Sequence, residues 1–264
     1  MRNSPSRRSF IDKFPALAQP CLCNTIRVSR RHIIKAVLFD IDGTIMNCSG
    51  AGRNALIQAS MDTFGTIGEM RRVDFQGKTD PLILRESLGI WGIGSSKDEK
   101  NITMLKTNYF RYLSEYINTH DAIVLPGIVE LLEALSDNDR IILGLLTGNF
   151  TESARIKLGR FDLNRFFRFG VYGDDAPFRD DLPPVAKKIL TEEFGLDIPY
   201  SDMVIIGDTI YDIRCARAVG AVAIAVGTGW APKDALLSEK PDHFFDDFSD
   251  IMPVLTAIMA PPLR

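Results

Sequence analysis

The 264-residue sequence has no apolar run approaching the roughly 18 to 20 residues that a membrane-spanning helix requires, and its tail, IMPVLTAIMAPPLR, is too short and too rich in proline to serve as one. A soluble protein without a membrane partner is therefore expected. Cysteine is scarce. Cys21, Cys23, Cys48 and Cys215 have neither the density nor the spacing of a disulfide framework, which fits a reducing compartment. Cys21 and Cys23 are followed by no second pair of Cys or His at a useful interval, so no zinc site is expected. His32, His120 and His243 lie near no serine or cysteine motif that would complete a hydrolytic triad. Acids are nearly missing from residues 1–33, which carry seven Lys or Arg against Asp12 alone; the remainder holds 24 basic against 33 acidic residues. An acidic body argues against a nucleic-acid partner. The basic, Ser-rich start matches an organellar transit peptide in composition, but a disordered extension or an upstream start codon accounts for it more simply, and a cytoplasmic location is expected.

What is present is enough for a substantial core. With 45% apolar residues, the chain predicts one domain carrying a large insertion, or two unequal domains. Short apolar runs at Ile33–Phe39, Ile141–Asn149, Phe169–Tyr172, Met203–Gly207, Ala221–Val226 and His243–Phe245 alternate with helical patterns at Ile128–Leu135, Pro184–Phe194 and Ile210–Val219. That alternation predicts an α/β fold with a parallel sheet wound on both faces. After Ile45, the glycines of MNCSGAGRN suggest a hinge. Helices are then expected at Arg53–Phe64, Pro81–Leu88 and Asp98–Asn118, the last with Ile102, Leu105, Tyr109, Tyr112 and Tyr116 on or near one core-packing face.

The stretch VLFDIDGTI, Val37–Ile45, organises the rest. Asp40 and Asp42 are two apart on extended backbone and so lean to one side, while Gly43 permits a sharp turn. Two crowded carboxylates at the end of an apolar strand call for a cation between them. In parallel sheets the ligand sits beyond the carboxyl ends of the strands. Thr147 and Gly148 follow one strand and Asp208 and Asp212 another, so these segments converge with the first on one edge.

DIDGT at Asp40–Thr44, LLTGN at Leu145–Asn149 and GDTIYD at Gly207–Asp212, in that order, resemble the motifs of the haloacid dehalogenase superfamily of phosphohydrolases. The resemblance covers Ile33 to the C-terminus. It implies an α/β core at 33–46 and 124–264, an all-helical cap at 47–123, and an extension at 1–32 outside the fold. The cap directly after the first motif resembles that of phosphoglycolate phosphatases and β-phosphoglucomutases.

The residues assign roles consistent with that likeness. Asp40 is the expected nucleophile, forming an aspartyl-phosphate, and Asp42 the expected acid and base, with mutual repulsion of the pair raising Asp42. Asp40, the backbone carbonyl of Asp42, and Asp208 are the expected Mg2+ ligands, with Asp212 behind them. Thr147 and the amides of Gly148 and Asn149 are expected to hold the phosphate. Lys78 and Thr79, in the loop QGKTD, are the expected contacts to the rest of a small phosphate ester.

One departure concerns the lysine that the superfamily usually places between the second and last motifs, often as Lys-Pro. No Lys-Pro occurs there, and Arg179, just ahead of a helix, is preferred over Lys187 and Lys188 for that role. The expected activity is a Mg2+-dependent phosphatase resembling phosphoglycolate phosphatase. A sugar-phosphate mutase and a non-catalytic phosphate-binding protein are the alternatives. Asp42 disfavours a dehalogenase, whose reaction has no leaving alkoxide to protonate.

Overall fold

The computed structural model describes residues 35–90 and 99–261. The basic N-terminal segment, with Cys21, Cys23 and His32, lies outside them. The first strand, β1 (Lys35–Phe39), is apolar except at its first residue and is buried along its whole length, as expected of a strand covered on both faces. Strands β4 (Ile141–Leu146), β5 (Phe169–Val171), β6 (Met203–Gly207), β7 (Val222–Val226) and β8 (His243–Phe245) join it in one sheet. The order is β5-β4-β1-β6-β7-β8, and every pairing is parallel. Strand Ile141–Leu146 stops short of TGN, which forms the turn.

Side-chain alternation divides the core into two layers. Val37, Phe39, Leu143, Leu145, Val204 and Ile206 pack on one face against α4 (Ile128–Ser136), α5 (Thr151–Gly159) and α9 (Ile251–Met259). Ala36, Leu38, Ile142, Met203 and Ile205 pack on the other against α6 (Leu182–Glu192), α7 (Ile210–Val219) and α8 (Lys233–Ser238). The α/β doubly wound class follows directly. Helices α5, α8 and α9 lie outside the helical patterns read from the sequence.

Two crossings leave and rejoin the sheet side by side, as the antiparallel pair β2 (Met46–Asn47) and β3 (Ile123–Val124). Between them lie α1 (Ala51–Phe64), α2 (Asp80–Leu88) and α3 (Glu99–Thr119). On α3 the buried face is Ile102, Leu105, Tyr109, Leu113 and Ile117. Tyr112 and Tyr116, expected near that face, sit at its margin because the period of 3.6 carries the stripe to Leu113 and Ile117 instead. Among the described residues, no helix is long and apolar enough to cross a membrane.

Candidate active site

The carboxyl ends of β1, β4 and β6 open into a cavity of about 660 Å³. Its lining brings together Asp40, Asp42, Thr147, Gly148, Asn149, Lys78, Arg179 and Asp208. The backbone holds Asp40 in place, since its N–H donates to the Ile206 carbonyl at 2.9 Å. Gly43 then turns with φ +82, a conformation costly for any residue with a Cβ, and a Cβ there would also come within 2.4 Å of Asp208 Oδ2. That close approach brings the first and last motifs together, and the Thr44 hydroxyl donates to Asp208 Oδ1 at 3.2 Å.

Asp40, Asp208 and Asp212 offer oxygens lying within 4.8 Å of one another, all buried. Burial raises Asp40 to about 6, with the charges of Asp212 and Asp42 pushing the same way, although Arg179 opposes them. Burial and the same kind of crowding, from Asp212 and Asp40, push Asp208 well above the carboxylate range. Three hard oxygen donors short of positive charge are the donor set that Mg2+ prefers, so the residues fit that ion. Asp212 is anchored elsewhere as well: Oδ2 accepts from the Thr209 N–H at 3.0 Å and from the Thr209 hydroxyl at 2.6 Å, and Oδ1 accepts from Arg179.

Arg179 sits in a single turn, Arg179–Asp181, just ahead of α6. It is buried, and its Nη2 lies 3.2 Å from Asp40 Oδ2. Its Nε meets no acceptor among the described residues, leaving a donor near Asp40. Lys187 turns instead to Asp197 and the Ile198 carbonyl, both at 2.5 Å, and Lys188 to Glu192. Geometry thus singles out Arg179 of the three cations.

Asp42 has a different setting. Its Oδ2 accepts from Asn149 Nδ2 at 2.9 Å and from Lys157 Nζ at 2.6 Å. Its side chain is 45% exposed and lines the cavity. Burial pushes Asp42 up, but Lys157 and Asn149 outweigh that and hold it below the ordinary carboxylate value. The expected upward displacement of the pair therefore falls on Asp40 alone. Sequence reasoning misses Lys157, which the fold places on the buried face of α5 with Ser153, Ala154 and Leu158.

Asp80, at the start of α2, is missed in the same way. Its N–H donates to the Gly148 carbonyl at 2.7 Å, and its Oδ2 accepts from the Phe150 N–H at 2.8 Å and the Ser153 hydroxyl at 3.3 Å. The loop before it seats against the core: a Cβ on Gly148 would meet the Lys78 carbonyl at 2.2 Å, and one on Gly77 would meet Tyr211 at 2.4 Å. Lys78 lines the cavity and pairs with Glu86 at 2.5 Å. Thr79 does not reach the cavity. Its hydroxyl caps α2 by accepting from the Leu82 N–H at 3.3 Å, and donates to the Pro177 carbonyl at 2.5 Å. A substrate contact by its side chain is therefore not what this geometry provides. Among the described residues the thiols are poor nucleophiles, because burial raises Cys215 to about 12 and Cys48 still higher.

Comparison with known proteins adds a family. The model described as "Haloacid dehalogenase-like hydrolase" matches residues 37–226. "Putative pyrophosphatase PpaX" of Caldanaerobacter subterraneus subsp. tengcongensis is 29% identical, over 84% of this chain and 94% of its own. A phosphoglycolate phosphatase of Salmonella typhimurium is 24% identical, over 84% and 92%. The crystal structure of CbbY from Rhodobacter sphaeroides in complex with phosphate shares the fold with TM-score 0.64 at 18% identity, covering 83% of this chain and 97% of that one.

Proposed function

Because the chain belongs to the haloacid dehalogenase-like hydrolase family, we propose that it hydrolyses a small phosphomonoester with Mg2+, through an aspartyl-phosphate on Asp40. The enzyme is a phosphoric monoester hydrolase; one relative is named a phosphoglycolate phosphatase and another a putative pyrophosphatase, and we favour the former activity class. The observation that carries the mechanism is the separation of Asp40 and Asp42 into two environments, one facing Arg179 and the acidic cluster and the other facing Lys157 and Asn149.

Asp40, Asp208 and the Asp42 carbonyl would hold the ion, with Asp212 fixing Arg179 from behind. When bound, Mg2+ supplies positive charge against the crowded carboxylates and the phosphoryl oxygens. Asp40 attacks phosphorus and forms the acyl-phosphate bond as the ester P–O bond breaks, and Asp42 delivers its proton to the departing alkoxide. Water then attacks the same phosphorus, Asp42 takes its proton, and the bond to Asp40 breaks, restoring the carboxylate. Lys157 and Asn149 favour the ionised form of Asp42, the form that this second half uses. Arg179 bridges the nucleophile and the equatorial oxygens, where transition-state charge resides. Thr147, buried and bonded by Asn149 Nδ2 at 2.8 Å, orders the phosphate side of the site.

The segment 47–123 acts in this reading as a cap that closes over the ester and selects it. The test is phosphate release from two- to six-carbon phosphate esters with and without Mg2+, together with Asp40→Asn. Turnover should require the ion and vanish in the variant. Retained turnover in Asp40→Asn defeats the mechanism, and interconversion of sugar phosphates without phosphate release would favour a mutase.

A further inference from the structure

A lysine inside a helix normally points to water, because burying an ammonium costs several kcal/mol unless it is paired. Lys157 is 4% exposed, although Glu152 and Arg155 on the same helix pair with each other at the surface. Its Nζ donates to Asp42 Oδ2 and to Asn149 Oδ1, both at 2.6 Å. Asn149 closes the triangle by donating from Nδ2 to the same Asp42 oxygen at 2.9 Å, and it also donates to the Thr147 hydroxyl at 2.8 Å. One edge of the Asp42 carboxylate is thus fixed by two donors that are themselves tied together.

The opposite wall sets a glycine against this ammonium. Gly52 lies within α1, where glycine costs about 1 kcal/mol relative to alanine, and it has no positive φ to account for it. A Cβ there would stand 3.4 Å from both Cε and Nζ of Lys157 and 3.8 Å from the Tyr109 hydroxyl. A Cβ would therefore just touch the lysine end, and the branched methyl groups of a larger residue would compete with it for space.

We propose that Lys157 is a positioning residue for the second half-reaction, holding Asp42 in the orientation that accepts a proton from the water attacking the aspartyl-phosphate, with Gly52 packed against its ammonium. This rests on the phosphatase reading above. Lys157 touches no reacting atom in this scheme; it acts through Asp42. With a leaving group that needs no proton from Asp42, a purely structural role would slow both halves together, whereas this role slows only the second.

p-Nitrophenyl phosphate separates the halves, because nitrophenolate leaves without needing a proton. In Lys157→Met, release of nitrophenolate in the first turnover should stay within about threefold of wild type while steady-state turnover falls at least about tenfold, a modest share of what a general base contributes. A burst should follow, and acid-quenched protein should carry the mass of one added phosphoryl group. Gly52→Val, which puts methyl groups in the space of the ammonium, should produce the same burst in a folded protein. In the Asp42→Asn background, Lys157→Met should add less than about threefold, since coupled residues are not additive.

Equal slowing of both phases in Lys157→Met and Gly52→Val, or a full additional loss in the double variant, overturns the assignment. Asp40→Asn keeps the two claims apart. If it still turns over, the phosphatase reading has failed; if it is inactive and no burst appears in Lys157→Met, only the role of Lys157 has failed.

Discussion

Asp40 and Asp42 are two residues apart on one strand end, and each faces its own buried cation, yet the two settings work in opposite directions. Around Asp40, Arg179 is outnumbered, because Asp208 and Asp212 crowd the same space. Around Asp42, Lys157 and Asn149 both donate to one oxygen. Burial pushes both carboxyls up; around Asp40 the neighbouring acids offset Arg179 and its value reaches about 6, whereas around Asp42 Lys157 and Asn149 outweigh burial and lower it. Environment, more than sequence position, separates the two carboxylates, and the proposed division between nucleophile and acid-base rests on that difference.

The largest test of that division is removal of Mg2+, which should abolish turnover and expose the charge deficit in stability as well. Without the ion, the folded protein binds more protons at Asp40 and Asp208 than the unfolded chain does. The contribution of Asp40 is therefore complete below the ordinary carboxylate value of 3.8 and is lost as pH rises through about 6, and Asp208, also raised by burial, acts in the same direction. Mg2+ should replace those protons, so thermal unfolding should show it stabilising the protein more at pH 7 than at pH 5. Equal gains in Tm at both pH values would mean that the ion does not bind at this cluster.

The next largest effect compares the cations of the intervening segment. Arg179→Ala should cut kcat by about 10²- to 10³-fold, the usual loss when one preorganised donor to a developing oxyanion is removed. It should also destabilise the fold, because Asp212 loses a buried partner. Lys187→Ala and Lys188→Ala, whose partners lie away from the cavity, should leave kcat within about twofold, since surface ion pairs contribute little. A rate loss in either lysine variant that matched Arg179→Ala would return the bridging role to the helix.

These contrasts also show what a sequence can disclose. Asp40, Asp42 and Asp208 were legible because an apolar run that stops at a carboxylate is a local pattern, and the sheet collects such ends on one edge. Arg179 was legible from its place ahead of a helix between two motifs. Lys157 and Asp80 were not, because their importance arises between elements far apart in the chain. Helix α5 has only nine residues and a weakly segregated surface, so its lysine reads as solvated until the fold sets Asp42 above it. β2 and β3, two residues each, are created by the pairing of the crossings and carry no period of their own.

Asp80 extends the comparison to the junction with α2. Burial raises it to about 6, with Lys157 and the Phe150 N–H opposing. Its folded value lies above its unfolded one, so its contribution is complete below 3.8 and disappears as pH rises through about 6. At neutral pH the lost stability is roughly 3 kcal/mol, since each pH unit separating the folded and unfolded values is worth about 1.4 kcal/mol. Asp80→Asn keeps an acceptor for Phe150 and should flatten that part of the pH dependence of unfolding. The difference from wild type should persist in saturating Mg2+, because Asp80 stands outside the metal cluster; if Mg2+ erases it, the two acidic regions are one coupled system.

Thr79 gives the smallest effect and separates architecture from recognition within one loop. Lys78 lines the cavity, whereas the neighbouring Thr79 is fully buried, capping α2 and bonding Pro177. A threonine two residues before a proline at a helix start is a capping signal that the sequence itself contains. Thr79→Val keeps the shape and removes both hydrogen bonds, so it should cost about 1 to 2 kcal/mol, a fall of roughly 2 to 8 °C in Tm for a domain of this size. KM for a phosphate ester should stay within about twofold, since the side chain meets no cavity. A large rise in KM with Tm unchanged would place Thr79 against the substrate, and the boundary between the part of the loop that holds the cap and the part that reads the ester would have to move by one residue.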